Sequence, residues 1–165
     1  MKVVILSDTH MPKRAKTLPP ELIKGLKQAD LILHAGDWQT LEIFEALQQF
    51  APVEGVAGNV DDEAIIQRFG RKKIIEAGDM TIGLVHGDGK GKTTPKRAWD
   101  AFKSEQVDLI VFGHSHIPFH QEYNGIILFN PGSPTDKRRQ KEFSYGLLDT
   151  DSPTSLKHVF YQDKR

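Results

Sequence analysis

The chain has 165 residues in which 22 Lys and Arg balance 22 Asp and Glu, so no global charge steers it toward nucleic acid or an anionic membrane. It contains no cysteine, which excludes disulfide frameworks and thiolate metal sites and leaves His, Asp, Glu, Asn and water as possible metal ligands. A chain of this length buries one sheet core with helices packed on it, so a single domain over residues 1–165 is expected, and the lack of cysteine suits the cytoplasm.

Val3 to Leu6 is a continuous β-branched and aliphatic run, the pattern of a strand buried on both faces. It is too short for a signal peptide or a membrane span. The run ends in Ser7-Asp8-Thr9-His10, and the carboxyl end of a buried strand is where open α/β sheets place ligands. A helix is expected from Glu21 to Gln28, opened by the prolines at 19 and 20. Leu31 to Leu33 reads as a second strand, leading into His34-Ala-Gly36-Asp37; His34, at the edge of the apolar run, is expected to be packed or to support a neighbour rather than to ligate.

Thr40 reads as the N-cap of a helix from Leu41 to Phe50, with Leu41, Phe44 and Leu47 inward. Val53 to Val56 is a third strand, followed by Gly58-Asn59-Val60-Asp61; the acidic run Asp61-Asp62-Glu63 favours a helix start. Lys72 to Glu76 and Thr81 to Val85 form a hairpin about Gly78-Asp79, whose second arm ends in His86-Gly87. Gly91-Lys92-Thr93, before a helix expected over Pro95 to Ser104, imitates a phosphate-binding P-loop, but the glycine required five residues earlier is His86.

The strand within Val107 to Phe112 runs into Gly113-His114-Ser115-His116. Alternate histidines would point to opposite faces of a strand, yet after a glycine turn both can bend toward one point and hold metal. Phe119 to Tyr123 and Ile126 to Asn130 form a hairpin about Asn124-Gly125, followed by the rigid Asn130-Pro-Gly-Ser-Pro134 loop, whose backbone and Ser133 are placed to meet an anion. Phe143 to Leu148 and Leu156 to Tyr161 close the chain as strands. His120 and His158 have no motif around them.

Five strand ends therefore deliver Asp8 and His10, Asp37, Asn59, His86, and His114 with His116. These two carboxylates, one amide oxygen and four imidazoles exceed the needs of one tetrahedral zinc and suffice for two adjacent ions sharing a carboxylate. Two divalent cations against two carboxylates leave a charge of about +2, which hydroxide and an anionic ligand such as a phosphoester would meet. Hydrolysis of a small phosphoester is the expected reaction.

The ordered set Asp8-Thr-His10, Gly36-Asp37, Gly58-Asn59-Val-Asp61, His86-Gly87 and Gly113-His114-Ser-His116 resembles the calcineurin-like metallophosphoesterase family. Asn130-Pro-Gly-Ser133 resembles a further signature of its small single-domain phosphodiesterase branch. The resemblance implies an α/β fold, a two-sheet sandwich flanked by helices, and two divalent transition-metal ions at strand ends. Mn is the first choice among Mn, Fe, Zn, Ni and Co. It places Asp8, His10 and His116 on one metal and Asn59, His86 and His114 on the other, with Asp37 bridging. Small phosphodiesters would be hydrolysed through a metal-bridging hydroxide, with Asp37, Asn59 and Asp61 catalytic and Asn59, His86 and Ser133 toward the substrate.

Two positions depart from the family pattern. Val60 stands where phosphomonoesterases of the family carry a histidine thought to protonate the leaving group, so diesters or good leaving groups are favoured. Asp88 stands where many relatives carry a second histidine. The basic clusters Lys13-Arg14, Lys90 with Lys92, and Lys137 to Lys141 are candidates for the rest of an anionic substrate, and a homodimer is the usual oligomer for a small domain. A different class of function attaches to Asp8-Thr-His-Met-Pro-Lys-Arg14 and Leu18-Pro-Pro-Glu-Leu22, which are similar to the retromer scaffold subunit of the same fold. That alternative is a protein-binding scaffold with little or no catalysis, and retention of all seven ligand types argues against it.

Overall fold

In the computed structural model, which describes residues 1–165, two five-stranded mixed sheets lie face to face with helices on their outer sides. The chain runs β1 (Lys2–Leu6), α1 (Pro20–Leu26), β2 (Leu31–His34), α2 (Leu41–Gln48), β3 (Val53–Gly55), α3 (Glu63–Phe69), β4 (Lys72–Ala77), β5 (Met80–Val85), α4 (Thr94–Ala101), β6 (Leu109–Val111), β7 (Phe119–Tyr123), β8 (Ile126–Asn130), β9 (Phe143–Asp149) and β10 (Ser152–Tyr161). The first sheet has the order β10-β9-β1-β2-β3 and the second β4-β5-β6-β8-β7. β1, β2 and β3 are mutually parallel, as are β5, β6 and β8, so their carboxyl ends gather at one edge of the sandwich.

The unbroken apolar runs have a direct cause: both faces of the central strands are covered. Val3 and Ile5 of β1 and Leu31 and Leu33 of β2 point between the sheets, against Ile82, Leu84, Leu109, Val111 and Phe129. Val4, Leu6 and Ile32 point the other way, into Leu22 and Leu26 of α1 and Leu47 of α2. On the far side Ile110 and Phe112 pack with Ala98 and Phe102 beside α4. Each fully buried aliphatic side chain contributes roughly 1.5–3 kcal/mol, and the apolar layers on both sides of each sheet fix the registers of the strands that carry the polar edge.

Several element ends differ from expectation for local reasons. α2 stops at Gln48 rather than Phe50; its buried side is Ile43, Phe44 and Leu47, with Leu41 only half-buried, and the Thr40 hydroxyl donates to the Met11 carbonyl (3.4 Å) instead of capping. Helix α4 begins at Thr94, capped by Thr93 Oγ1 accepting from the Lys96 N–H, and ends at Ala101 rather than Ser104. β10 starts at Ser152, with an irregularity before Lys157. Asp62, not Asp61, caps α3 by accepting from the Ile65 N–H (3.1 Å). His34 is wholly buried and stacked on Trp38 at 3.8 Å, in the packed role expected of it.

Trp38 joins the core to the polar edge: it is buried between His34 and Phe69 (4.5 Å) and its indole N–H donates to the Val56 carbonyl at 2.8 Å. Trp38→Ala should destabilise the protein by about 3–5 kcal/mol. Urea denaturation monitored by far-ultraviolet circular dichroism measures this, and a loss under about 1 kcal/mol would show that the stack is not a core element.

Candidate metal centre

β1, β2, β3, β5 and β6 end in turns that bring Asp8 and His10, Asp37, Asn59, His86, and His114 and His116 to the shared edge. The turns are conformationally unusual. Asp8 (φ 57°), His10 (45°), Asp37 (61°), His114 (70°) and His116 (62°) all adopt the left-handed region, which costs a side-chain-bearing residue roughly 1–2 kcal/mol. Cross-strand backbone bonds hold them there: Asp8 N–H to the Gly36 carbonyl (2.9 Å), His10 N–H to that of Asp37 (3.1 Å) and Gly113 N–H to that of His86 (3.0 Å). Close approach requires glycine at two neighbouring points. A Cβ on Gly113 would lie 1.8 Å from Ser7 Oγ and 2.6 Å from Asp8 Oδ2, and one on Gly58 would lie 2.1 Å from Asp37 Oδ1.

Each carboxylate has one anchored oxygen and one directed inward. Asp8 Oδ2 accepts from Ser7 Oγ (2.7 Å) and the His114 N–H (3.0 Å), while Asp8 Oδ1 is buried with no hydrogen-bond partner. Asp37 Oδ1 accepts from the Val60 N–H (3.0 Å), leaving Oδ2 between His86 Nε2 (3.1 Å) and His10 Nε2 (3.6 Å).

Two of the histidines follow the same plan. His86 Nδ1 donates to the Ala35 carbonyl (2.7 Å) and His116 Nδ1 to that of Asp136 (2.5 Å), so their Nε2 atoms point inward. The Nε2 atoms of His10, His86 and His116 are all buried without a hydrogen-bond partner. They lie 3.9, 3.8 and 3.5 Å from Asp8 Oδ1.

Such a concentration of unpartnered buried donors is costly in apolar surroundings, and it fits the coordination of divalent transition metals by nitrogen and oxygen. Two mutually close sets emerge, Asp8-His10-His116 and Asp8-Asp37-His86. Asp8 belongs to both, and Asp37 Oδ2 also reaches toward His10, so the inward oxygens of both carboxylates lie between the sets. His114 and Asn59 sit at the open side, joined by His114 Nδ1 and Asn59 Oδ1 at 3.2 Å.

The electrostatics tie His86 to Asp37. Burial alone would depress His86, but the Asp8 charge and the close Asp37 carboxylate push it up to about 9. Burial would raise Asp37, yet the close His86 ring, the Val60 N–H and His10 hold it at about 2. His10 and His114 lie below the ordinary histidine value because of burial, and His34 lies well below it from burial and the neighbouring His86.

Two expected site residues face elsewhere. Asp61, expected to be catalytic, is a buried brace: Oδ2 accepts from the Asp37 and Gly58 N–H groups (2.8 Å each) and Oδ1 from that of Gln39 (3.0 Å). Ser133, expected to face the substrate, is 1 % exposed; its hydroxyl donates to the Asp8 carbonyl (2.8 Å) and accepts from the Thr135 and Asp136 N–H groups. In both, the side-chain oxygens are engaged chiefly by backbone groups of the neighbouring loops: three N–H groups at Asp61, and one carbonyl with two N–H groups at Ser133. Asp88 is exposed and forms no hydrogen bond, and its negative charge acts on His114.

Sequence reasoning missed other braces. Asn130 donates to the Gly113 carbonyl (3.0 Å) and Ser115 Oγ (3.1 Å), Thr135 donates to the Thr9 carbonyl, and Thr9 Oγ1 meets His34 Nε2 at 3.1 Å. The Asn-Pro-Gly-Ser run was the available signal, and it marks a clamp on the histidine loop rather than a ligand site.

The sequence profile of the calcineurin-like phosphoesterase superfamily domain matches residues 1–153. The chain belongs to that superfamily. It is similar to a probable metallophosphoesterase of Methanocaldococcus jannaschii, 38 % identical over 141 residues, covering 84 % of this chain and 70 % of the relative. Among solved structures, that of a novel archaeal phosphodiesterase superposes with a TM-score of 0.76 at 21 % identity, covering 98 % of this chain and 100 % of the other. Vps29 of Chaetomium thermophilum superposes with a TM-score of 0.79 at 20 % identity, with full coverage of both chains. These two structures share the superfamily fold with this chain. No helix is long and apolar enough to cross a membrane.

Asp61→Asn sets an NH₂ group against at least one backbone N–H that the carboxylate now accepts, and should cost about 2–3 kcal/mol of stability while lowering the metal content of purified protein. Chemical denaturation and elemental analysis check this; unchanged values in both would contradict the brace. The His86–Asp37 pair also sets a pH dependence. For His86, raised from 6.5 to about 9, the stabilisation is complete below 6.5 and disappears as pH rises through about 9; for Asp37 it is complete above 3.8 and disappears as pH falls through about 2. Thermal melts of metal-free protein should therefore fall between pH 6.5 and 9. Added metal competes with the His86 proton, so metal affinity should rise across the same window. Calorimetric titrations at both ends of it giving equal affinities would contradict the pairing.

Proposed function

We propose that this protein is a binuclear metal-dependent phosphodiesterase acting on small phosphoesters. The observation that carries the reading is the convergence of the Nε2 atoms of His10, His86 and His116, all buried without a hydrogen-bond partner, on the equally unpartnered Asp8 Oδ1, with Asp37 Oδ2 beside His86 and His10. In this reading Asp8, His10 and His116 would hold one ion and Asn59, His86 and His114 the other, with Asp37 as a ligand common to both; mixed nitrogen and oxygen donors suit Mn, with Fe, Zn, Ni and Co as alternatives. Two such ions supply Lewis acidity at a phosphoryl oxygen and lower the pKa of water toward neutrality.

The remaining work belongs to the protein. Asp61 and Ser133 fix the Asp37 and Asp8 loops, so the ligands are positioned before substrate arrives. His114 and Asn59, joined at the open side, complete the ligand set where an incoming ester would meet it. Val60, half exposed next to Asn59, has no proton to give a leaving alkoxide, which favours diesters and acidic leaving groups. The retromer-type scaffold is the second reading, favoured by the likeness to Vps29 structures, one of which is a zinc complex; the unpartnered donors suit metal under either reading, and turnover separates the two.

The test is hydrolysis of bis-p-nitrophenyl phosphate and p-nitrophenyl phosphate by metal-stripped protein re-supplied with Mn²⁺. Metal-dependent diester cleavage that falls roughly a hundredfold or more in Asp37→Ala is expected. Val60→His should raise monoester turnover by about 10²-fold. Folded protein with no turnover in any divalent metal would favour the scaffold instead.

A further inference from the structure

The side of the centre next to His10 and His116 carries a pair of arginines that the reading above does not use. The Asp136 carbonyl holds His116 Nδ1 at 2.5 Å, and the Asp136 side chain, only 11 % exposed, lies 4.0 Å from the same nitrogen. Asp136 Oδ2 in turn meets Arg14 Nε at 3.4 Å and Arg138 Nε at 3.9 Å. Arg14 follows the metal-binding loop directly, its N–H donating to the His10 carbonyl at 2.8 Å. One partly buried carboxylate thus gathers two guanidiniums from separate loops and links them, through two contacts in series, to the imidazole of His116.

The charges do not balance locally. One carboxylate faces two guanidiniums, and both arginine side chains remain more than half exposed, at 53 % and 55 %, with no hydrogen bond to any protein acceptor. The neighbouring cations are engaged otherwise. Lys164 Nζ donates to the Arg14 and Thr135 carbonyls, and Lys137 Nζ to that of Gln140. The contact to Asp136 is made at Nε in both, which leaves the Nη groups of each arginine without a protein partner, and planar forks of this kind suit phosphate oxygens. Asn59 and Val60 follow β3 and His114 follows β6, whereas Arg14 follows β1 and Arg138 follows β8.

We propose that Arg14 and Arg138 form a second anion site beside the metal centre, and that the preferred substrate is a small phosphodiester carrying a further phosphate. The scissile diester occupies the metal centre while the second phosphate is held by the two guanidiniums, with Asp136 fixing their orientation. The choice of scissile group rests on the phosphodiesterase reading; the anion site does not.

Thymidine 5′-(p-nitrophenyl phosphate) and its 3′-phosphorylated form offer the same scissile diester without and with a second phosphate. With Mn²⁺-loaded wild type, KM should be roughly tenfold lower for the 3′-phosphorylated ester. The ratio should approach one in the Arg14→Gln/Arg138→Gln double variant and be largely restored in Arg14→Lys/Arg138→Lys. A wild-type ratio near one, or a ratio unchanged in the glutamine variant, overturns the proposal. Calorimetric binding of thymidine 3′,5′-bisphosphate against thymidine 5′-phosphate reads the same preference without turnover. Binding preference without hydrolysis of either ester leaves the anion site standing and removes the phosphodiesterase reading. Hydrolysis without preference in KM or in binding does the reverse.

Discussion

Two buried carboxylates facing three imidazole nitrogens across a few ångströms are the constraint on which the rest of this structure depends. Asp8 is wholly buried and Asp37 nearly so, and the inward oxygen of Asp8 has no hydrogen-bond partner. An arrangement of that kind is unfavourable in a low-dielectric interior unless a cation, a proton or an ion pair compensates it. The charges of His86 and Asp37, 3.1 Å apart, provide part of the compensation, raising His86 and lowering Asp37. The inward nitrogens of His10 and His116 and the inward oxygen of Asp8 have no such partner, and their donor chemistry fits a metal ion.

The sandwich exists to make that arrangement rigid. Strands buried on both faces cannot slip in register without moving apolar side chains into the wrong layer, so their carboxyl ends are fixed points. From those points the chain turns sharply through left-handed conformations at five of the seven expected ligands. Backbone bonds between loops, the Asp61 carboxylate, the Ser133 hydroxyl and the Asn130 amide hold the turns in place. Strain at the ligands and stability in the sheets are therefore two sides of one design, in which neighbouring loops determine a geometry that no single turn would adopt by itself.

Much of this was legible in the sequence because it rests on pattern. Apolar runs ending in Asp, His or Gly-Asp located the strands and their functional ends, and Asn124-Gly125 located a hairpin whose limits the structure reproduces. What escaped was the direction in which short polar side chains point. Asp61 and Ser133 stand beside true site loops, and nothing in spacing tells a carboxylate that accepts three backbone N–H groups from one that faces a ligand. The left-handed conformations at Asp8, His10 and Asp37 were invisible for a related reason: they arise from cross-strand contacts, whereas local sequence signals such conformations chiefly through glycine and asparagine. Arg14 and the Lys137 to Lys141 run stood out as basic clusters, but that Asp136 brings Arg14 and Arg138 together depends on the meeting of two distant loops, which spacing does not show.

The central claim is that this donor set holds two metal ions at once. Native mass spectrometry of metal-stripped protein titrated with Mn²⁺ or Ni²⁺ counts them directly. The account predicts a species with two ions per chain, reduced to at most one by Asp37→Ala. Saturation at a single ion in the wild type, or two ions retained without Asp37, would contradict it.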